Sequence, residues 1–174
     1  QYDIDFETRE EVSISEYLNM IEYKTAVLVA AAMKMGAIIA GASEDDQNQC
    51  YEFGKNLGIA FQLQDDYLDA FGNPETFGKQ VGGDIIENKK TYLFLKALEF
   101  SSEADQQQLK HLFSSENNDL EGKVEIVKQI FTTSGSAEAT KKAITSYTKK
   151  AFEVLQTLTI TDKNKQILQD FGTQ

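Results

Sequence analysis

Proline, the residue that most strongly interrupts helices, occurs once in this 174-residue chain, at Pro74, and glycine occurs only 11 times. Apolar residues recur every three or four positions over long stretches, for example at Ile144, Tyr147 and Ala151. This period is typical of helices that bury one face. Because proline and glycine are the usual punctuation between elements, the sequence predicts an all-α fold made of long helices.

Helix ends are predicted by local signals. Ser13 and Glu16 have the spacing of a capping box, so a helix should begin near Ser13. Periodicity and caps predict further helices over about 45–70, 92–100, 104–113 and 120–132, then from Ser136, and from Thr161 or Asp162 to about Phe171. Residues 73–90 contain Gly78, Gly82 and Gly83 and little periodicity, which predicts a loop that can close over a ligand.

The segment Ala26–Ala42 is apolar except for Lys34 and its glycines. It is shorter than the roughly twenty residues of a membrane span and has a lysine near its middle, so we expect no stable membrane insertion. A central helix that is buried on all sides is the better interpretation. If neighbouring helices were missing, its apolar faces would be exposed and would promote association.

The charge balance restricts the partners. The chain has 28 acidic and 17 basic residues and a net charge of −11, which argues against nucleic acid or an anionic membrane surface as the partner. A single cysteine, Cys50, excludes an internal disulfide and fits a reducing, cytoplasmic environment. The length suits one domain, so we expect residues 1–174 to form a single all-α domain.

Three aspartates occur within one turn near the end of the predicted helix 45–70. Asp65 and Asp69 are four residues apart, so their carboxylates should lie on one face about 6 Å apart along the axis, with Asp66 beside them. Mg²⁺ prefers oxygen ligands and is usually held by one or two carboxylates together with substrate phosphates. The alternative is a solvated acidic helix face. Two features argue against it: the flanking residues are apolar, so unpaired charges there are costly, and carboxylates near the C-terminal end of a helix are disfavoured by the helix dipole unless cations are bound.

The sequence around these aspartates resembles a known family. The segments FQLQDDYLD, FGK and DIIENKKT are similar to the second aspartate-rich region of the trans-isoprenyl diphosphate synthases, the farnesyl and geranylgeranyl diphosphate synthases of the polyprenyl synthetase family. The resemblance implies an isoprenoid-synthase-type helical bundle. It also implies that Asp65, Asp66 and Asp69 bind Mg²⁺, which in turn binds the diphosphate of an allylic substrate.

Upstream residues extend the resemblance. The segment Tyr23-Lys24-Thr25-Ala26 is similar to the family's KT motif, which implies that Lys24 contacts diphosphate and that Thr25 lies beside the reacting carbons. Gln62 is similar to the glutamine that faces the carbocation. These three residues are therefore the predicted catalytic residues.

The predicted loop and the start of the chain supply further candidates. Lys79 and Lys89 resemble the lysines that clamp the diphosphate, and Asp84 resembles the loop acid near the metals. Gln1-Tyr2-Asp3 is similar to the tail of the family's GQxxD segment, with Asp3 as its acid. The resemblance therefore assigns Lys24, Lys79, Lys89, Asp84 and Asp3 to diphosphate binding.

Two features of the family are not found in this sequence, namely a first aspartate-rich motif and the paired arginines that follow it; Arg9 is the only arginine. Arginine is the usual bidentate ligand of a second diphosphate. We therefore expect the chain to be the C-terminal part of a synthase, without its N-terminal helices and inactive alone. The resemblance implies that the intact protein condenses an allylic diphosphate with isopentenyl diphosphate and that it is a homodimer. Two alternatives remain: a class I terpene cyclase, or a non-catalytic helical subunit of a heteromeric synthase.

Overall fold

The computed structural model describes residues 9, 11–73, 81–114 and 119–173. Every regular element within these ranges is a helix, so the predicted all-α fold is confirmed. Two of the predicted diphosphate ligands, Asp3 and Lys79, lie outside the described residues, as does Pro74.

The helices follow the predicted order closely. They are α1 (Ile14–Ile21), a π-helix (Glu22–Ala26), α2 (Val27–Ile39), α3 (Glu44–Phe71), α4 (Gly83–Ile86), α5 (Tyr92–Phe100), α6 (Glu103–Ser114), α7 (Leu120–Thr133), α8 (Ser136–Thr157) and α9 (Asp162–Gly172). Two elements were not predicted. One is the π-helix, which contains the KT pair, and the other is α4, a single turn within the segment predicted to be a loop.

The predicted capping box is present at the start of α1. The Ser13 N–H donates to Glu16 Oε2 at 2.9 Å, and the Glu16 N–H donates to Ser13 Oγ at 3.2 Å. The Ser13 amide and hydroxyl, together with the Arg9 guanidinium, lower the pKa of Glu16 to about 2. Two backbone donors that the helix itself cannot satisfy are therefore paired.

The chain groups into two compact units. The first unit consists of Gln1–Tyr17 and Leu63–Lys142, and the second consists of Leu18–Gln62 and Ala143–Gln174. Each unit combines segments that are far apart in the sequence, so long-range packing holds each unit together.

Helix α7 is the common packing partner in the first unit, where it contacts α4, α5 and α6. Its buried face carries Val127, Ile130 and Phe131. Phe94 of α5 packs on Phe113 of α6 with the ring centroids 4.2 Å apart. Since α4 is only one turn long and cannot form alone, its position depends on α7.

In the second unit, α3 packs closely against α2 and the π-helix through glycine. A β-carbon at Gly58 would lie 2.5 Å from the Ala26 Cα, and one at Gly54 would lie 2.9 Å from the Ala30 Cα. Only glycine permits such an approach of two helix backbones. The hydrophobic core of this unit comprises Phe53, Leu57, Ala151, Leu155 and Leu158.

Helix α2 is not buried on all sides, so that expectation is wrong for this chain. Ala30 is the one buried residue of this fully described helix, while Leu28, Met35 and Ile39 are 75%, 56% and 87% exposed. The exposure agrees with the other expectation, that missing neighbours would leave its apolar faces uncovered. In the part of the chain that the structure describes, none of the helices has the length and apolar content needed to cross a membrane.

Candidate active site

The three predicted metal ligands near the end of α3 have different environments. Asp65 is partly exposed, Asp66 is buried and Asp69 is half-buried. Successive helical residues point about 100° apart, so Asp65 and Asp66 cannot face the same way. The structure therefore does not bring the three carboxylates together as one set of ligands.

Asp66 points into the first unit, where Tyr17 binds it. Both side chains are nearly inaccessible, at 6% and 2% exposure, and the Tyr17 hydroxyl donates to Asp66 Oδ2. Burial raises the pKa of Tyr17 well above its usual value, and the negative charge of Asp66 adds to the effect. The Tyr17 ring also packs beside Tyr92, with the centroids 6.2 Å apart. Asp66 therefore ties the end of α3 to α1.

Asp69 connects α3 to the predicted loop. Its Oδ2 accepts the Asp84 N–H at 2.9 Å, and its carbonyl accepts the Gly82 N–H at 2.6 Å. Burial raises the pKa of Asp69; the bond from the Asp84 amide opposes this, whereas the negative charges of Asp84 and Asp65 add to it. Asp65, Asp69 and Asp84 thus lie near enough to interact electrostatically, and we refer to these three residues as the acid cluster.

Lys89 is the cation beside the acid cluster. Its Nζ lies 2.9 Å from Asp84 Oδ1 and 2.7 Å from Glu87 Oε2. Burial tends to lower the pKa of Lys89, but the bonds to Glu87 and Asp84 prevail and raise it. Lys89 is therefore charged and held at the acid cluster, while part of its side chain still faces solvent.

The acid cluster does not form a complete metal site by itself. Among the described residues, no group of three or more histidine, cysteine, aspartate or glutamate side chains is arranged to hold a metal ion. Mg²⁺ usually takes only one or two protein carboxylates and completes its shell with substrate phosphates and water. Burial is the main cause of the raised pKa of Asp69, and the charges of Asp84 and Asp65 add to it; a cation nearby would reduce this repulsion.

In the second unit, the predicted catalytic pair is in contact. Thr25 Oγ1 donates to Gln62 Oε1 at 3.0 Å. Thr25 lies in the π-helix, and the close approach of Ala26 to Gly58 places it opposite Gln62, which is one turn beyond Gly58 on α3. Single-turn π-helices are frequent at functional sites. Lys24, the third member of the predicted set, is exposed on the same π-helix.

Three residues at or beside the predicted site were not identified from the sequence. Tyr17 binds Asp66, Asn88 precedes Lys89, and Lys123 binds Asn88. A tyrosine on the apolar face of α1 requires a partner for its hydroxyl. The sequence therefore indicates that Tyr17 has a partner, but it does not identify that partner. Lys123 falls on the apolar stripe of α7, four residues before Val127, and this position was the available signal for a buried lysine.

Helices throughout the described residues, with aspartates at the end of α3 beside a segment that carries Lys89, are the features that the resemblance to an isoprenoid-synthase-type fold predicts. The sequence profile of the family described as polyprenyl synthetase matches residues 1–131. The chain therefore belongs to the polyprenyl synthetase family.

Relatives with curated names agree. A short chain isoprenyl diphosphate synthase of Methanothermobacter thermautotrophicus is 38% identical over 165 residues, which cover 95% of this chain and 50% of the relative. A geranylgeranyl diphosphate synthase of Methanosarcina mazei is 38% identical, and the aligned region covers 90% of this chain and 46% of that synthase. The chain thus spans about half the length of the curated relatives it matches.

Solved structures agree as well. A crystal structure of geranylgeranyl pyrophosphate synthase superposes with a TM-score of 0.92 and 53% identity, covering 99% of this chain and 54% of that one. A decaprenyl diphosphate synthase from Rhodobacter capsulatus gives a TM-score of 0.84 and 32% identity over 99% and 52% of the two chains. The fold of the matched half is that of prenyl diphosphate synthases.

Proposed function

We propose that this chain is the diphosphate-ionising half of a trans-isoprenyl diphosphate synthase, which joins an allylic diphosphate to isopentenyl diphosphate. The observation that carries the proposal is the contact between Asp69 and the Asp84 amide, which connects the aspartate-bearing helix to the loop with Lys89. Prenyl diphosphate synthases are the relatives named above, which favours this function over a terpene cyclase. The retained acid cluster favours it over a non-catalytic subunit.

Asp65 and Asp69 are the residues proposed to hold Mg²⁺, with Asp84 close by. Bound Mg²⁺ would neutralise the charge that develops on the departing diphosphate. Asp66 keeps its predicted place in the motif, but its bond to Tyr17 suits it better to anchoring the helix end than to binding a cation. Lys24, Lys79 and Lys89 are proposed to bind diphosphate oxygens, and Asp3 stays a prediction of the family resemblance.

When the carbon–oxygen bond breaks, the allylic carbocation must be stabilised without being captured. The Thr25 hydroxyl and the Gln62 amide present oxygen dipoles, and neither is a strong nucleophile or base. Because Thr25 donates its proton to Gln62 at 3.0 Å, the hydroxyl is oriented with its lone pairs directed elsewhere. Fixed dipoles of this kind stabilise developing charge without reorganisation. The isopentenyl double bond then attacks the cation, and loss of a proton completes the reaction.

We further propose that the chain works only with a polypeptide equivalent to the other half of its relatives. That half would supply the first aspartate-rich motif and the arginines, since Arg9 is the only arginine here. The apolar face of α2, with Leu28, Met35 and Ile39 exposed, is the surface such a polypeptide would cover. Contiguous exposed apolar surface commonly marks an interaction site. Homodimerisation and a cytoplasmic location stay predictions.

Isothermal titration of the chain with pyrophosphate tests the metal–diphosphate part. We expect binding that requires Mg²⁺ and weakens by at least about tenfold in Asp65→Asn, because a charged ligand contributes more than about 1.4 kcal/mol. Asp45→Asn, at the start of the same helix, is the matched control and should bind as the wild type does. Equal binding with and without Mg²⁺, or an unaltered affinity in Asp65→Asn, would contradict the proposal.

A prenyl-transfer assay with radiolabelled isopentenyl diphosphate and dimethylallyl diphosphate tests the need for a second polypeptide. The chain alone should give no product. Co-expression with the first half of the geranylgeranyl pyrophosphate synthase that superposes on it should give product, and Leu28→Asp should abolish it. Product formed by the chain alone would show that it is sufficient.

A further inference from the structure

Helix α7 carries a buried cation that the proposed reaction does not use. Lys123 is 2% exposed. Its Nζ donates to Asn88 Oδ1 and lies 5.3 Å from the centroid of the Phe113 ring. Burial lowers the pKa of Lys123. A lysine with so little access to water needs a polar partner, because an unpaired buried charge costs several kcal/mol, and Asn88 supplies it.

Asn88 has an unusual backbone conformation. Its φ of 59° makes it the one non-glycine residue with positive φ in the described part of the chain. Outside glycine, asparagine is among the few residues that adopt this conformation at moderate cost. Asn88 directly precedes Lys89, whose N–H donates to the Asp84 carbonyl at 2.9 Å. The turn at Asn88 therefore sets where Lys89 and Asp84 meet.

The same helix contacts the other end of this segment. Val124, next to Lys123, packs on Gly82, where an added β-carbon would lie 2.7 Å from Val124 Cγ1. Gly82 has a φ of 86° and donates its N–H to the Asp69 carbonyl. Adjacent residues of α7 thus contact both turns that flank α4.

We propose that Lys123 is a positioning residue for diphosphate binding: its ammonium holds the left-handed turn at Asn88 and so keeps the Asp84–Lys89 ion pair at the end of α3. The importance of this ion pair for diphosphate rests on the proposed function. Lys123 itself is buried, and its Nζ faces the Phe113 ring, so we expect it not to contact substrate. Its effect passes through the backbone of Asn88.

A merely structural role makes a different prediction. Apolar replacement of a buried charged group is often neutral or stabilising for the fold as a whole. A structural lysine would therefore change hydrogen exchange everywhere or nowhere. A positioning lysine would change it locally, at the turn.

The test compares Lys123→Met, Asn88→Gly and the double variant by amide hydrogen exchange. Each single change should speed exchange of the Lys89 amide at least about tenfold, because each removes one partner of a buried charged hydrogen bond, with amides of α8 unaffected. In the double variant the Lys89 amide should exchange no faster than in either single variant. No buried ammonium is then left unpaired, and glycine at position 88 accepts positive φ. Lys128→Met, on the same helix, is the matched control and should leave the Lys89 amide unchanged.

Pyrophosphate titration in the presence of Mg²⁺ supplies the functional measurement. Lys123→Met should weaken binding about tenfold, and Lys128→Met should not. If the Lys89 amide exchanges normally in Lys123→Met, or if the two single effects multiply in the double variant, Lys123 does not position the turn. If the turn loosens while affinity stays the same, the link to diphosphate is wrong. Failure of the wild-type chain to bind pyrophosphate would instead overturn the proposed function, and the exchange data would still decide the role of Lys123 at the turn.

Discussion

Replacement of Tyr17 by phenylalanine isolates the contribution of one buried hydrogen bond. The change deletes only the hydroxyl that donates to Asp66 Oδ2 and keeps the ring that packs beside Tyr92. Asp66 is 6% exposed, so water cannot readily replace the lost donor. Hydrogen bonds to charged groups contribute about 1.5–3 kcal/mol, and we expect the free energy of unfolding to fall by about 2 kcal/mol.

Urea denaturation followed by far-ultraviolet circular dichroism measures this loss. The midpoint should shift to lower urea with an unchanged slope, because the surface exposed on unfolding stays the same. Tyr92→Phe is the matched control. It deletes the same atom from a neighbouring ring, and none of the hydrogen bonds found between the described side chains and Asp66 involves the Tyr92 hydroxyl. We expect its effect to stay within about 0.5 kcal/mol.

A loss below about 0.5 kcal/mol in Tyr17→Phe would refute the reasoning, because the bond would then contribute no more than an exposed one. Equal losses in Tyr17→Phe and Tyr92→Phe would refute it as well, since they would reflect packing around the rings rather than the bond to Asp66.

Further predictions concern packing and pH. Gly58→Ala should lower the free energy of unfolding by about 1–3 kcal/mol, since the added methyl would lie 2.5 Å from the Ala26 Cα. In Gly36→Ala the added methyl meets no atom within 4 Å, so this control should raise the free energy of unfolding by about 0.5–1 kcal/mol through helix propensity. Equal effects of the two substitutions in urea titrations would contradict the close approach of the helices. The pKa of Glu16 is lowered from 4.5 to about 2, so its stabilisation is full above pH 4.5 and is lost as the pH falls towards 2. Glu16→Gln should therefore show a smaller fall in melting temperature between pH 4.5 and 2, and an unchanged fall would count against the capping box.

The secondary structure could be read from the sequence because it depends on neighbours in the chain. The capping box links residues three positions apart, and the helix predicted over 92–100 is observed as Tyr92–Phe100. The candidate site was readable in part for the same reason. Asp65 and Asp69 are one turn apart on α3, and the resemblance to a family motif added Lys24, Thr25 and Gln62. The metal role of the two aspartates and the substrate roles of the other three residues stay predictions.

The rest of the site depends on partners that are distant in the sequence. Tyr17 and Asp66 are 49 positions apart, and Lys123 and Asn88 are 35 apart. Asp66 lies three residues after Leu63 and four before Ala70, both of which are buried, so the helical period indicates that Asp66 turns inward, but it does not identify Tyr17 as its partner. The π-helix around Thr25 and the left-handed turn at Asn88 are likewise set by the elements that pack against them.

The sequence alone determined that the chain is helical and where most of its helices begin and end, because these properties follow from period and caps. Its local motif indicated the candidate site residues, whose roles stay predictions. The tertiary structure alone decided which residue pairs with the buried carboxylate, which loop meets the end of α3, and which face of α2 stays uncovered. Each of these depends on long-range packing, where a hydrogen bond or a buried charge is satisfied only once distant segments have come together.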